Sequence, residues 1–161
     1  DRQGVLDRHG PRRRLGLIYL RAIDAPNPLV PRDFAAAERE LAAVRARLDK
    51  EAFDVVARIA SEHNASKQQG GDAGWHRRRS ERLPEPVLAA AFAQTAGAVS
   101  GPVRLADGVA LVKTLDVEPD PDDAALRQRL REGKAKELQQ QLFDACKLAM
   151  TPPATPAGAR K

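Results

Sequence analysis

Apolar positions recur along this chain with two different periods, and the switches between them mark its elements. Leu15 to Ile23 (LGLIYLRAI) is short, apolar and bounded by charge and proline, the pattern of a buried strand. Pro26, Pro28 and Pro31 make 24–32 a loop. Asp33 is placed to cap a helix on which Phe34, Ala37, Leu41, Val44 and Leu48 recur at helical spacing. A second amphipathic stretch puts Phe53, Val56, Ala57 and Ala60 on one face. Residues 61–74 are polar and end in Gly70-Gly71-Asp72-Ala73-Gly74, where backbone freedom is needed. Pro84 and Pro86 open a short third helix through Val87, Leu88, Ala91 and Phe92, since proline is tolerated in a first turn; Gly97 is expected to end it. Val99 to Leu105 and Val109 to Val117 read as a strand pair, with Ala106-Asp107-Gly108 as the turn. After a proline-acid hinge (EPDPDD), Leu126, Leu130, Leu138, Leu142, Ala145 and Ala149 predict a long amphipathic helix, weakened in its middle by Gly133.

This order predicts an α+β domain with an antiparallel sheet and an appended C-terminal helix. Hydrophobic residues make up 42% of the 161 positions, enough for a core. Aromatics are 4%, which argues against a stacking platform for single-stranded nucleic acid. The single cysteine, Cys146, excludes an internal disulfide and a thiolate zinc site, and reads as a small packing residue. His9, His63 and His76 make no metal-ligand spacing, so no metal and no cofactor is expected. No apolar run approaches the roughly 20 residues needed to span a bilayer. No signal-peptide pattern is present.

The formal net charge is +5, and it is not evenly spread. Residues 1–14 hold Arg2, Arg8, Arg12, Arg13 and Arg14 against Asp1 and Asp7, a surplus of +3. Residues 75–82 hold Arg77, Arg78, Arg79 and Arg82 against Glu81, again +3. The rest of the chain sums to −1. The lead-in 1–14 shows no apolar period and is expected to be loose.

Four blocks of this sequence resemble the parvulin (PpiC-like) family of peptidyl-prolyl cis–trans isomerases, as found in bacterial folding factors. They are Phe53-Asp54-Val55-Val56-Ala57-Arg58-Ile59-Ala60-Ser61, then Gly70-Gly71-Asp72-Ala73-Gly74-Trp75, then Ala90-Ala91-Phe92-Ala93 with Gly97-Ala98-Val99-Ser100-Gly101-Pro102-Val103, and last Gly108-Val109-Ala110-Leu111-Val112-Lys113. They stand in the family's order and spacing across 15–117. The resemblance implies a four-stranded antiparallel sheet surrounded by helices. It also implies a second strand around Asp72–His76, which has no strand pattern of its own. The expected organisation is a basic lead-in (1–14), an isomerase-like domain (15–117), a hinge with the C-terminal helix (118–149) and a disordered tail (150–161).

Rotating a prolyl amide costs about 18–20 kcal/mol because resonance is lost, yet no bond is made or broken. Such a catalyst need only bind the twisted amide better than the planar forms. That calls for an apolar cup around the proline ring and polar groups around the carbonyl. By the resemblance, the cup falls on Leu83, Val87 and Phe92, with Val87 replacing a larger aromatic. The family's histidines in the first and last strands fall on Leu17 and Ala110, and its cysteine or aspartate after the second helix falls on His63. The histidine pair is thus lost. His63 is either a substitute polar group beside the substrate or a solvated loop residue. Ser61 and Asp107 either line the same groove or serve as turn residues. The arginines at 77–79 either attract acidic clients or an anionic surface, or form a solvated loop. The loop 22–32 holds only Arg32, which gives no support to phosphoserine-proline specificity.

Two functions are therefore expected. One is a parvulin-type prolyl isomerase acting on Xaa-Pro segments of unfolded client protein, weakened by the missing histidines. The other is a non-catalytic chaperone or assembly module of the same fold, favoured by Leu17 and Ala110. A basic nucleic-acid-binding module ranks last. The family analogy places the chain in the periplasm or otherwise outside the cytoplasm, as a piece of a larger folding factor. The apolar face of the last helix is expected to self-associate or to pack on a missing N-terminal segment.

Overall fold

The computed structural model describes the backbone of residues 2–150 and the side chains of 4–145. The chain divides after Asp120 into two units. The first carries a four-stranded antiparallel sheet in the order β2-β1-β4-β3, formed by β1 (Arg13–Arg21), β2 (Asp72–His76), β3 (Val103–Arg104) and β4 (Gly108–Val117). The helices of this unit are α1 (Arg2–His9), α2 (Phe34–Arg47), α3 (Phe53–Ala60), α4 (Asn64–Lys67) and α5 (Glu85–Phe92).

Strand alternation decides which side chains meet. Ile18 and Leu20 of β1, and Ala22 just after it, face α2 and α3, where they form one buried cluster with Phe34, Ala37, Leu41, Val44, Phe53, Val56 and Ala57. The spacing read from the sequence thus marks the buried stripe of both helices. Asp33 caps α2 as expected, its carboxylate accepting from the Ala36 N–H at 2.6 Å. Leu15 and Leu17 point the other way. They join Ala110 and Val112 of β4 and Val87, Leu88 and Ala91 of α5 in a second buried cluster.

Three expectations are corrected. The lead-in is not loose: Arg2–His9 is helical, and Arg13 and Arg14 already belong to β1. The Asp7 carbonyl accepts from the Arg79 N–H at 3.0 Å, which ties α1 to the segment after β2. The short helix ends at Phe92, not at Gly97, whose N–H instead donates to the Thr114 carbonyl at 2.7 Å. The strand expected over 99–105 contracts to Val103–Arg104 and an isolated bridge between Val99 and Lys113. Pro102 lacks an N–H and breaks the ladder there, while the Ser100 hydroxyl accepts from the Val112 N–H at 3.0 Å.

The second unit contains α6 (Asp123–Met150). The Asp122 carboxylate accepts from the Ala125 N–H at 2.7 Å, and the helix runs through Gly133 without a break. Leu138, Leu142 and Phe143 are exposed. The side chains of Cys146 and Ala149, and the tail from 151 onward, lie outside the described residues. Among the described residues, no helix is long and apolar enough to cross a membrane.

Candidate functional site

The Gly-Gly-Asp run explains how a polar segment is anchored on the sheet. Gly71 has φ +81°, and a Cβ there would stand 2.7 Å from Ala57 Cβ and 3.0 Å from the Leu17 carbonyl oxygen. The closeness lets the Leu17 N–H donate to the Gly71 carbonyl at 2.8 Å. One oxygen of Asp72 accepts from the Gly74 N–H at 2.8 Å, and the other accepts from Arg14 Nε at 2.8 Å. Burial raises the Asp72 carboxyl, but the Arg14 hydrogen bond, the Gly74 N–H and the Arg14 charge outweigh it and hold the group below its ordinary value.

This anchoring opens a cleft of about 650 Å³ beside β2, lined among others by His63, Ser66, Ala73, Trp75, Arg82 and Leu83. His63 sits at the start of α4, half-buried, with Nδ1 2.7 Å from the buried Ser66 hydroxyl. Burial lowers its pKa below 6.5, so the neutral imidazole predominates at pH 7. Ser61 is fully buried; its hydroxyl oxygen accepts from the N–H groups of Tyr19 and His63, each at 3.2 Å. It fastens the α3–α4 junction to β1 and does not line the cleft.

The apolar residues expected at the site converge, though at different depths. Leu17, Val87 and Ala110 are buried in the cluster between the sheet and α5, and Leu83 and Phe92 pack against that cluster from its partly exposed margin. Leu83 and Ala73 belong both to this margin and to the lining of the cleft that holds His63. Phe92 lies outside that lining, with the guanidiniums of Arg13 and Arg78 4.9 and 5.4 Å from its ring centroid. Asp107 lines a second depression of about 390 Å³ with Tyr19, Arg32, Glu62 and Asn64.

Tyr19 is the residue that sequence reasoning missed. It pairs with Ala110 across β1 and β4, and its ring packs at the margin of the same cluster. Its hydroxyl donates to the Asp107 carbonyl at 2.7 Å. The signal was present: Leu15, Leu17 and Tyr19 alternate along one face of a strand, so the chain's one tyrosine had to share the face of the expected site. Among the described residues, no group of three or more His, Cys, Asp or Glu could hold a metal ion.

A β2-β1-β4-β3 antiparallel sheet, with one face closed by two helices and the other by a short helix, is the architecture of parvulin-type peptidyl-prolyl cis–trans isomerases. The family model of the PPIC-type prolyl isomerase (rotamase) domain matches residues 23–116, and the chain belongs to that family. The chaperone SurA of Yersinia pestis is 30% identical over 106 residues, which are 65% of this chain and 24% of that protein. The match thus spans about a quarter of that relative's length. The crystal structure of a PpiC-type prolyl isomerase domain is 28% identical, with a TM-score of 0.54, over 70% of this chain and 95% of that one. The prolyl isomerase PrsA of Bacillus anthracis shares the fold at 22% identity and a TM-score of 0.58, over 90% of this chain and 64% of that one.

Proposed function

We propose that this domain isomerises Xaa-Pro bonds in unfolded polypeptide, more weakly than relatives that keep the strand histidines, as part of an extracytoplasmic folding factor. One observation carries the reading. Leu83 and Ala73 connect the cleft holding His63 to the apolar cluster of Leu17, Val87 and Ala110. A proline ring seated on Leu83 lies over that cluster, with Val87, Leu17 and Ala110 as the support beneath and Phe92 at its margin. The ring leaves water while the carbonyl stays at the polar wall.

His63 supplies that wall. In the tautomer in which the Ser66 hydroxyl donates to Nδ1, the neutral ring carries its proton on Nε2 and can donate it in a hydrogen bond to the rotating carbonyl. Twisting the amide removes conjugation and returns the lone pair to the prolyl nitrogen, leaving less charge on the carbonyl oxygen. A donor at the carbonyl therefore accelerates the turn only if its fixed position meets that oxygen better in the twisted geometry than in the planar ones. Only that differential binding accelerates the turn. Tyr19 already spends its hydroxyl on Asp107 and shapes the margin without donating to substrate.

Exchange NMR on short Xaa-Pro peptides tests the proposal. Accelerated cis–trans exchange that falls in His63→Ala and in Leu83→Ala supports it. Unaccelerated exchange at high protein concentration rejects it. Peptide binding in that same titration would then establish the second reading, a non-catalytic binding module. That reading draws on Leu17 and Ala110, which are apolar and buried where relatives carry histidine. The exposed Leu138, Leu142 and Phe143 support association of α6 with a second copy or with a helical segment of the longer protein. A monomer in light scattering, with α6 amides fully protected, excludes it.

A further inference from the structure

The two basic segments of the sequence are 60 or so residues apart along the chain, yet they meet in space. Asp7 brings this about. Its carbonyl accepts from the Arg79 N–H at 3.0 Å, and its carboxylate lies 3.6 Å from Arg78 Nε. A cleft of about 190 Å³ results, lined by Arg8, Arg12, Arg77, Arg79, Arg82 and Trp75 together with His76 and Ser80. Among the described residues, no carboxylate lines it. Arg12 is paired with Glu118 at 3.3 Å outside that lining. Arg8, Arg79 and Arg82 form no ion pair among the described residues, and all three side chains are exposed.

The wall between this cleft and the larger one is shared: Trp75, His76 and Arg82 line both. One residue of the shared wall is fixed by burial and hydrogen bonds. His76 is buried, its Nε2 donates to the Ala73 carbonyl at 2.8 Å, and its Nδ1 stands 3.1 Å from the Ser80 hydroxyl. An extended polypeptide lying against Leu83 therefore continues directly onto the arginines. Like charges held together repel, and an incoming carboxylate relieves that repulsion while gaining charge-assisted hydrogen bonds.

We propose that this arginine cleft is a subsite for acidic residues of the polypeptide client, flanking the segment held in the His63–Leu83 cleft. The site rests on the proposed polypeptide-binding function for its neighbour, not for its own chemistry. A stacked nucleic-acid base is the poorer occupant. The cleft's one aromatic ring, Trp75, already carries the Arg12 guanidinium 5.6 Å from its centroid, and the cavity is the size of a side chain.

The test is an NMR titration of the whole chain with two proline-free peptides of equal length, one rich in Glu and one with Gln in its place. The proposal expects the Glu peptide to bind, with shifts centred on Trp75, Arg79 and Arg82. The Gln peptide should bind more weakly by about three- to tenfold, and the difference should vanish near 1 M salt, where screening acts over about 3 Å. Arg8→Gln with Arg79→Gln, two exposed positions outside the larger cleft, should remove the preference while leaving exchange of an uncharged Xaa-Pro peptide unchanged. Equal binding of both peptides overturns the proposal, whatever the isomerase assay gives. Binding that is selective but undiminished in the double variant overturns it as well. Equal shifts with inorganic phosphate at the same anion concentration would make the cleft a general anion hole and overturn the peptide reading. Since neither probe contains proline, failure of the isomerase reading shows in the exchange assay alone.

Discussion

The Tyr19 hydroxyl donates to the Asp107 carbonyl at 2.7 Å, joining β1 to the turn between β3 and β4. Burial first, and then the Asp107 hydrogen bond and charge, push its pKa up to about 12, so the phenol remains a donor throughout the neutral range. Tyr19→Phe should cost about 1 kcal/mol of stability, equally at every pH near neutrality. The loss stays small because the Asp107 carbonyl still accepts from the Ala22 N–H at 3.0 Å. Urea denaturation of the two proteins measures it; a loss well above that figure would mean the turn depends on this one bond.

Gly71 and Gly74 make a paired test of backbone strain. Both have positive φ, +81° and +85°, but a Cβ on Gly71 meets Ala57 at 2.7 Å whereas one on Gly74 meets nothing within 4 Å. Gly74→Ala should cost about 1–2 kcal/mol for the left-handed backbone alone. Gly71→Ala adds overpacking and should cost about 2–4 kcal/mol in total. Thermal unfolding of both variants decides; equal losses would show that α3 yields freely.

His63 should titrate below 6.5, because burial disfavours its charged form. The sign of the stability effect follows. As pH falls through 6.5 the unfolded chain takes up the proton first, so the contribution is fully present above 6.5 and is lost as pH drops through the lower folded value. Imidazole NMR gives the midpoint, and comparison of urea midpoints at several pH values with His63→Ala gives the linkage. A midpoint above 6.5 contradicts the burial argument.

Leu83 and Val87 should separate binding from stability. Val87 is fully buried, so Val87→Ala removes packing and should cost about 1.5–2.5 kcal/mol. Leu83 is only partly buried at the margin of the cleft. Leu83→Ala should cost less than about 1 kcal/mol of stability while weakening binding of an Xaa-Pro peptide several-fold. Equal effects of the two variants on binding, once corrected for folding, would remove Leu83 from the site.

The helices α2, α3, α5 and α6 were legible because their evidence in the sequence is local; α1 and α4 have no apolar period to show them. Phe34, Ala37, Leu41 and Val44 recur at the helical period, and the same residues are the buried stripe of α2. The strand at Leu17 and Ile18 was legible for the same reason. Gly97 misled because the segment that follows α5 is held by Thr114, a residue far along the chain, and not by the helix it trails. The second strand had no pattern: in Asp72–His76 only His76 is buried, and its ladder to β1 needs a partner more than fifty residues away.

Periodicity alone therefore determined α2, α3, α5, α6, the two long strands and the α+β class, since each is a repeat of side chains against one surface, whereas α1 and α4 carry no such repeat. The motif spacing determined the family. Tertiary structure decided the rest. It put Leu83 and His63 on one cleft while burying Leu17, Val87 and Ala110. It set Tyr19 beside Ala110 through β-register. It brought Arg8 and Arg12 to Arg77, Arg79 and Arg82, with Asp7 touching both Arg78 and Arg79. Each of these depends on hydrogen bonds between segments distant in sequence, whose register no local pattern encodes.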